Sequence, residues 1–328
     1  MARGLSNTAV IAGFALCFGV ALAQPRVDTQ SYPARPIRII VPNTAGSAMD
    51  NVTRMIGQRL TEVWGQQIVV DDRPGAGGII GHELAAKAAP DGYTLLFTAS
   101  AGVVIQPLMT RVSYDSARDF TPISLVVTSI QILASHPSVA ANNVEELMAL
   151  ARARPGQLNC GSSGNGGSNH LTCEMLKVMA GVDFLHVPFK GTVPQMIGLV
   201  SGQVQFAFAS IPTTMAFVKA DKLRALAQGG SSRSPVVPNL PTVAETFPGF
   251  QAVTWYALFA PRDTPSAIVA RLNAEVVKIL ADPPTVRRLA DQGLDPRPTT
   301  PAELTTYMQS ETERFSRIIK LSGLATSH

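Results

Sequence analysis

The chain has 328 residues and a mass of 34.7 kDa, enough for about two domains at roughly 150 residues each. Its composition, 46% apolar and 15% charged, excludes a mainly disordered or collagen-like chain, and three cysteines exclude a disulfide scaffold. Lys and Arg number 27 against 23 Asp and Glu, a formal +4 with no long basic run, so the charge pattern gives no reason to expect nucleic acid as a partner.

Residues 1–23 read as a secretory signal peptide. Arg3 supplies a positive start, and Val10 to Val20 is an apolar run. That run is short of the roughly 20 residues needed to span a bilayer. Ala21-Leu-Ala23 is an A-x-A cleavage site, which places maturation before Gln24. Cys17 is not a lipoprotein cysteine by pattern, since Leu16 stands where a small residue is needed. No later stretch is long and apolar enough for a second span. The mature chain is expected to be exported, with the periplasm as its compartment. It keeps Cys160 and Cys173, for which export permits a disulfide. Their spacing leaves open whether they are bonded or free. With only His170 nearby they do not make a zinc site, and no metal or cofactor is expected.

Short apolar runs then alternate with amphipathic stretches. Ile37–Val41 is expected as a strand, Met49–Trp64 as a helix, Gln67–Val70 as a strand, Ile79–Ala88 as a helix and Thr94–Thr98 as a strand. This is the rhythm of a parallel sheet covered by helices. Two β-like runs, Ile123–Ser135 and Ala252–Ala260, are long for one strand of a compact sheet and are read as crossing from one domain to another. Between them the pattern predicts helix 144–153, strand 157–161, helix 168–180, strand 184–187, helix 193–200 and strands 203–209 and 223–227. Asn143-Val-Glu-Glu146 and Thr300-Pro-Ala-Glu303 are capping-box patterns, and Thr264-Pro265 is read as a similar start for a helix to about Leu280. The last helix sets Leu304, Met308, Phe315, Ile318 and Ile319 on one side. The layout is an α/β protein of two lobes: residues 24–128 with 254–328 form a discontinuous first lobe, and 129–253 an inserted second one. Two crossing hinge strands join them, with a cleft between, and Trp255 is expected in the hinge core.

Most catalytic motifs fail. No GxxxxGK[ST] is present, and Gly75-Ala-Gly-Gly78 and Gly164-Asn-Gly-Gly167 miss GxGxxG at Ile80 and Asn169. Gly161-Ser-Ser-Gly-Asn165 breaks the nucleophile elbow at its last position, and His82-Glu83 lacks the second histidine of a zinc protease. His170 and His186 could serve as bases, but a lone histidine is more often structural. What remains is three Gly/Ser-rich loops that each follow a strand and open a helix: Pro42-Asn-Thr-Ala-Gly-Ser-Ala-Met-Asp50, Cys160-Gly-Ser-Ser-Gly-Asn-Gly-Gly-Ser168 and Lys190-Gly-Thr-Val-Pro194. Loops at the carboxyl ends of strands are the usual ligand position in such sheets. Backbone N–H groups at helix starts bind anions, and Ser and Thr add neutral donors. None of these loops has an arginine cluster, so the expected ligand is a small carboxylate held by N–H, O–H and water.

At these residues the sequence resembles the tripartite tricarboxylate transporter substrate-binding proteins, the Bug family, over essentially the whole mature chain. The matching stretches include Tyr32-Pro-Ala-Arg-Pro-Ile-Arg-Ile-Ile-Val-Pro42, Asp72-Arg-Pro-Gly-Ala-Gly-Gly78, Ala89-Pro-Asp-Gly-Tyr-Thr-Leu95 and Asp119-Phe-Thr-Pro122. Gly161-Ser-Ser-Gly164 with His170-Leu171, His186-Val-Pro-Phe-Lys-Gly191, Lys222-Leu-Arg-Ala-Leu226 and Pro238-Asn-Leu-Pro-Thr242 continue them. The resemblance implies a type II-like periplasmic binding-protein fold, capture of a small carboxylate and delivery to membrane transporter subunits. It implies ligand loops at Asn43, Thr44, Gly46, Ser47 and Asp50, at Thr98, Ala99 and Ser100, at Ser162, Ser163, Gly164 and Asn165, and at Gly191 and Thr192. The first loop departs from the family's Pro-Gly-Gly, reading Ala45-Gly-Ser47. Asp50 is read as capping its helix and orienting that loop in preference to touching ligand. Lys190 could pair with a carboxylate or lie in solvent, and His170 could cap, pack or donate one hydrogen bond.

Some members carry an aspartate after the strand matching Val204–Phe208, where this chain has Ala209 and Ser210. Without that carboxylate an ammonium group lacks its counter-charge. The expected ligand is therefore a dicarboxylate, a hydroxy-acid or an aromatic monocarboxylate. A binding protein without catalysis is the leading reading, and a monomer is expected. The alternatives are a sensor presenting the solute to a membrane kinase, and an exported hydrolase using Ser162 or Ser163 with His170.

Overall fold

The computed structural model describes Met1 and residues 31–324. The expected signal peptide, its cleavage site and His328 lie outside these residues, apart from Met1. Chain order begins β1 (Ile37–Val41), α1 (Ala48–Trp64), β2 (Ile68–Asp72), α2 (Ile79–Ala86) and β3 (Thr94–Ala99). A π-helical turn at Ala101–Ile105 passes directly into α3 (Gln106–Met109), followed by α4 (Ser116–Asp119) and β4 (Phe120–Ser135). Next come α5 (Val144–Ala153), β5 (Asn159–Ser162), α6 (Ser168–Ala180), β6 (Leu185–Pro188) and α7 (Thr192–Val200). Then follow β7 (Phe206–Ser210), α8 (Ile211–Lys219), β8 (Arg224–Gln228) and α9 (Val243–Thr246). The order closes with β9 (Val253–Pro261), α10 (Ser266–Ala281), α11 (Pro283–Ala290), β10 (Asp295–Pro296) and α12 (Pro301–Leu321).

Two sheets share one strand. The first runs β2-β1-β3-β9-β4-β10, and the second β6-β5-β7-β4-β8. β4 pairs with β9 over Phe120–Ile130 and with β7 and β8 over Gln131–Ser135. At the change-over, Gln131 donates its N–H to Ala252 O and accepts the N–H of Gly229. Ala252 donates in turn to Gly229 O, so three backbone bonds knit the crossing. The long apolar run is therefore one strand serving two sheets, as its length suggested.

Local chemistry explains most boundaries. Ser47 starts α1 by accepting the Asp50 N–H, and Gly65, left-handed at φ 66°, ends it. Thr300 and Glu303 complete the expected capping box of α12, with Pro301 at the first helical position. Asn143 caps α5 through Glu146 N–H, but the returning Glu146 carboxylate takes the N–H of Asn142, so the reciprocal half of the box is displaced by one residue. At α10 the expected Thr264 cap is corrected. Its hydroxyl donates to Pro261 O, and the helix begins at Ser266 with no side-chain cap. The sequence reading also omits α8 and α11. Pro212 and Pro283–Pro284 stand in their first turns, where the missing N–H has no partner to lose.

The core divides accordingly. One apolar cluster joins β1, β3, α1 and α10. A larger one runs from Ile40 and Leu96 through Trp255 and the expected α12 side chains to Leu171 and Phe206. Cys160 of β5 and Cys173 of α6 are disulfide-bonded and fully buried, their Cα atoms 6.4 Å apart. Replacing both by alanine is expected to lower the unfolding free energy by about 3 kcal/mol through release of the closed loop. Urea denaturation checks this, and the variant's midpoint should no longer respond to reductant.

Candidate functional site

The sheets turn the carboxyl ends of their parallel strands toward the crossing. Ala99 at the end of β3 is level with Tyr256 of β9, which faces Val127 of β4. Ser210 at the end of β7 faces Gln131. Val127 and Gln131 are four positions apart on one strand, about 13 Å at roughly 3.3 Å per residue. The loops after β3 and β7 thus start near the crossing, and since β1 runs parallel to β3 and β5 and β6 run parallel to β7, their loops leave the same edge of each sheet.

In the first lobe, Asp50 is buried and works on its own loop. Its Oδ2 accepts the Gly46 N–H at 2.7 Å, and Oδ1 pairs with Arg54 at 2.6 Å. Asn43 Oδ1 accepts the Thr44 N–H. Gly46 needs its glycine, with φ at 78°. Thr44 and Gly46 are exposed, and Asn43 and Ser47 half-buried.

Behind β3 lies a residue that the sequence reading set aside. His82 is buried in α2, with Nδ1 2.8 Å from Gly78 O and Nε2 2.8 Å from Thr98 Oγ1. A carbonyl only accepts, so Nδ1 carries the proton and Thr98 donates its hydroxyl to Nε2. Thr98 therefore faces the interior, and its hydroxyl proton is committed. Burial lowers the His82 pKa to about 4, which keeps the ring neutral. Tyr114 stacks on His82 and donates to Gly102 O, and a Cβ at Gly102 would collide with the imidazole. Ala99 is buried in the first-lobe core, while Ser100 is fully buried with its hydroxyl unpartnered.

In the second lobe two loops are bonded together. Phe189 and Gly191 donate their N–H groups to Ser162 O and Ser163 O. Ser163 donates to Asn169 Oδ1, and Asn169 Nδ2 donates to Gln195 Oε1. Gln195 is fully buried on α7, and its Nε2 donates to Gly161 O and Phe208 O, tying β5 to β7. Ser162 Oγ accepts the Gly164 N–H and lies 2.5 Å from His186 Nε2. Asn165, Lys190 and Thr192 are exposed, and Gly191 has φ 107°. Ala209 packs into an apolar cluster with Ala134 and Met196, while Ser210 bonds Thr213 at 2.8 Å. Between these two positions, then, only Ser210 lies outside the core.

The lobes touch at two places near these loops. A Cβ at Gly166 would stand 3.6 Å from Met109 Sδ of α3. At the crossing, Gln131 Nε2 lies 3.2 Å from both Ser168 Oγ and Thr254 Oγ1, which are 3.0 Å from each other. Gln131, Ser168 and Thr254 were not anticipated. A lone glutamine inside the apolar run Ile130-Gln-Ile132 was the available signal.

Two cavities lie away from these loops. One of about 760 Å³ is walled by Val103, Leu108, Tyr114 and Met308. Another of about 610 Å³ adjoins Thr128, Ile130, Val253 and Arg297. Among the described residues no group of three or more His, Cys, Asp or Glu side chains could hold a metal ion, and no helix is long and apolar enough to cross a membrane.

A two-lobed α/β fold with one strand shared between its sheets defines the class of periplasmic solute-binding proteins. The chain belongs to the tripartite tricarboxylate transporter receptor family, whose model matches residues 52–324. A UPF0065 protein from the tcbD-tcbE intergenic region of Pseudomonas sp. strain P51 is 38% identical over 92% of each chain. The solved R. palustris Rpa4515 with adipate superposes with a TM-score of 0.81 at 33% identity, over 90% of this chain and 99% of that one. MatC from Rhodopseudomonas palustris with bound malate gives 0.76 at 33% identity, over 88% of this chain and 100% of that one.

His82→Phe keeps the stack on Tyr114 and removes both polar contacts. Two buried groups are then left unpaired, and the loss of stability is expected to be about 2 kcal/mol or more at pH 7. Urea denaturation at constant pH measures it.

Proposed function

We propose that the mature chain is a periplasmic receptor that captures a small carboxylic acid without a charged amine and delivers it to the membrane subunits of a tripartite tricarboxylate-type transporter. Residues 24–128 and 254–328 form one lobe and 129–253 the other, and the protein acts as a monomer without catalysis. The observation that carries this reading is that α1, α6, α7 and α8 all open at the carboxyl ends of strands that run parallel within each sheet. Each opens from a Gly/Ser loop or strand end, which leaves its first-turn N–H groups for an anion. The adipate and malate seen in two similar proteins have the same chemistry. Ala209 and Ser210, neither a carboxylate, leave a ligand ammonium without a counter-charge there. Ligand-facing groups are proposed among Asn43, Thr44, Gly46 and Ser47, and Ser163, Asn165, Lys190, Thr192 and Ser210, while the fully buried Ser100 lies behind them. Asp50, Thr98 and Ser162 support them from behind.

A serine hydrolase is the poorer reading. Ser162 is fully buried and accepts the Gly164 N–H, so its oxygen has no open approach to a substrate carbonyl.

Thermal unfolding of residues 24–328 with adipate, malate, nicotinate and aspartate tests the proposal. A bound acid at 100-fold excess over its Kd should add about 2.7 kcal/mol to stability and raise the midpoint. Aspartate should leave the midpoint unmoved. A shift with aspartate and none with the three acids would overturn the ligand class.

A further inference from the structure

The Gly/Ser loop between β5 and α6 is held by two imidazoles in contact with each other. His170 and His186 stack with centroids 3.8 Å apart and planes inclined by 20°. Each ring holds a different part of the loop. Gly166 donates its N–H to His170 Nδ1 at 3.0 Å. His186 Nε2 faces Ser162 Oγ, which accepts the N–H of Gly164 and lies 3.1 Å from Gly164 O as a donor. An amide can only donate, so His170 Nδ1 is unprotonated. The ring proton is then on Nε2, 3.9 Å from Glu174 Oε1. Protonating Nδ1 would set two donors against each other and free the Gly166 amide. A cation on one ring would also meet a cation on the other across the stack. Glu174, whose pKa burial raises, is the carboxyl facing the pair, and Lys177 and Asp183 act on it from further out.

We propose that His170, braced by His186, is a positioning residue for the Ser162–Ser168 loop, and that the loop takes its binding form only while the His170 imidazole is neutral. The inference rests on this loop being a ligand loop, as proposed above. Burial lowers both rings from the ordinary 6.5 to about 4, with His170 adding to the effect on His186. A histidine held below its ordinary value stabilises the formed loop above pH 6.5. That contribution is lost as pH falls from 6.5 toward 4.

Two measurements test this. The first uses the ligand-free protein and follows the Gly164 and Gly166 amides and the histidine ring carbons by NMR from pH 7.5 to 4. The amides should shift together with the two rings, at a pH well below 6.5. Amides indifferent to the ring titration would overturn the proposal whether or not any acid binds. The second is calorimetric titration of adipate and malate into wild type, H170N/H186Q and H170F. Asparagine keeps an acceptor for Gly166, glutamine keeps a hydrogen-bonding group beside Ser162, and neither titrates. From pH 7 to 4 the wild type should lose about twofold more affinity than the double variant, most of it below pH 5, and the variant's profile reports the ligand's own protonation. H170F should bind about tenfold more weakly than wild type at pH 7, and the conservative pair should recover most of that loss. Parallel profiles of wild type and double variant, or H170F binding like wild type, would overturn the proposal. Absence of binding by every protein at pH 7 would instead count against the receptor reading, leaving the loop to the NMR result.

Discussion

Both sheets depend on β4, a single strand of 16 residues that neither can do without. Its first eleven positions hydrogen-bond to β9, and its last five to β7 and β8. A backbone edge must be satisfied along its whole length, so the change of partners at Gln131 fixes where one lobe ends and the other begins. Everything at the cleft is placed from that point. The carboxyl ends of β3 and β7 fall near it by register, and the loops that follow them inherit the position.

The site is built from polar groups that mostly satisfy one another. Asp50 holds Gly46, His82 holds Thr98, Asn169 holds Ser163, and Gln195 holds the seam between β5 and β7. Such shells order a loop before a ligand arrives, so less ordering entropy is lost on binding. They also divide the candidate residues into two kinds. Groups with an open face remain for a ligand, and groups with every bond spent inside the protein shape the loops that present them.

The C-terminal helix ties the lobes in a second way. Trp255 of β9 donates to the buried Glu311 of α12, and Arg314 clasps Glu311 while donating to Gln251 O beside the crossing. Phe315, Ile318 and Ile319 share a core with Leu171 and Met175 of α6. Any motion of one lobe against the other must slide or bend this contact. The Ser168–Thr254 hydroxyl pair at the crossing is a small polar counterpart to it.

Much of the architecture was legible in the chain. The apolar periodicity marked nearly every strand and long helix, because burial on one face imposes a period that composition cannot hide. The length of Ile123–Ser135 disclosed a strand used twice. Thr300–Glu303 disclosed a helix start, since capping is local chemistry. The Gly/Ser loops were legible for the same reason, as their glycines answer to local backbone angles. Long-range pairings were not legible. Cys160 and Cys173 are bonded because β5 and α6 pack face to face, which thirteen residues of spacing cannot reveal. His82 acts on Thr98 and Gln195 on Phe208 only because sheet order brings them together. The sequence by itself determined most of the elements and the family, both of which rest on neighbours in the chain. Which hydroxyls are spent and which stay free was decided by tertiary structure, because a hydrogen bond depends on distance in space and carries no mark of separation along the chain.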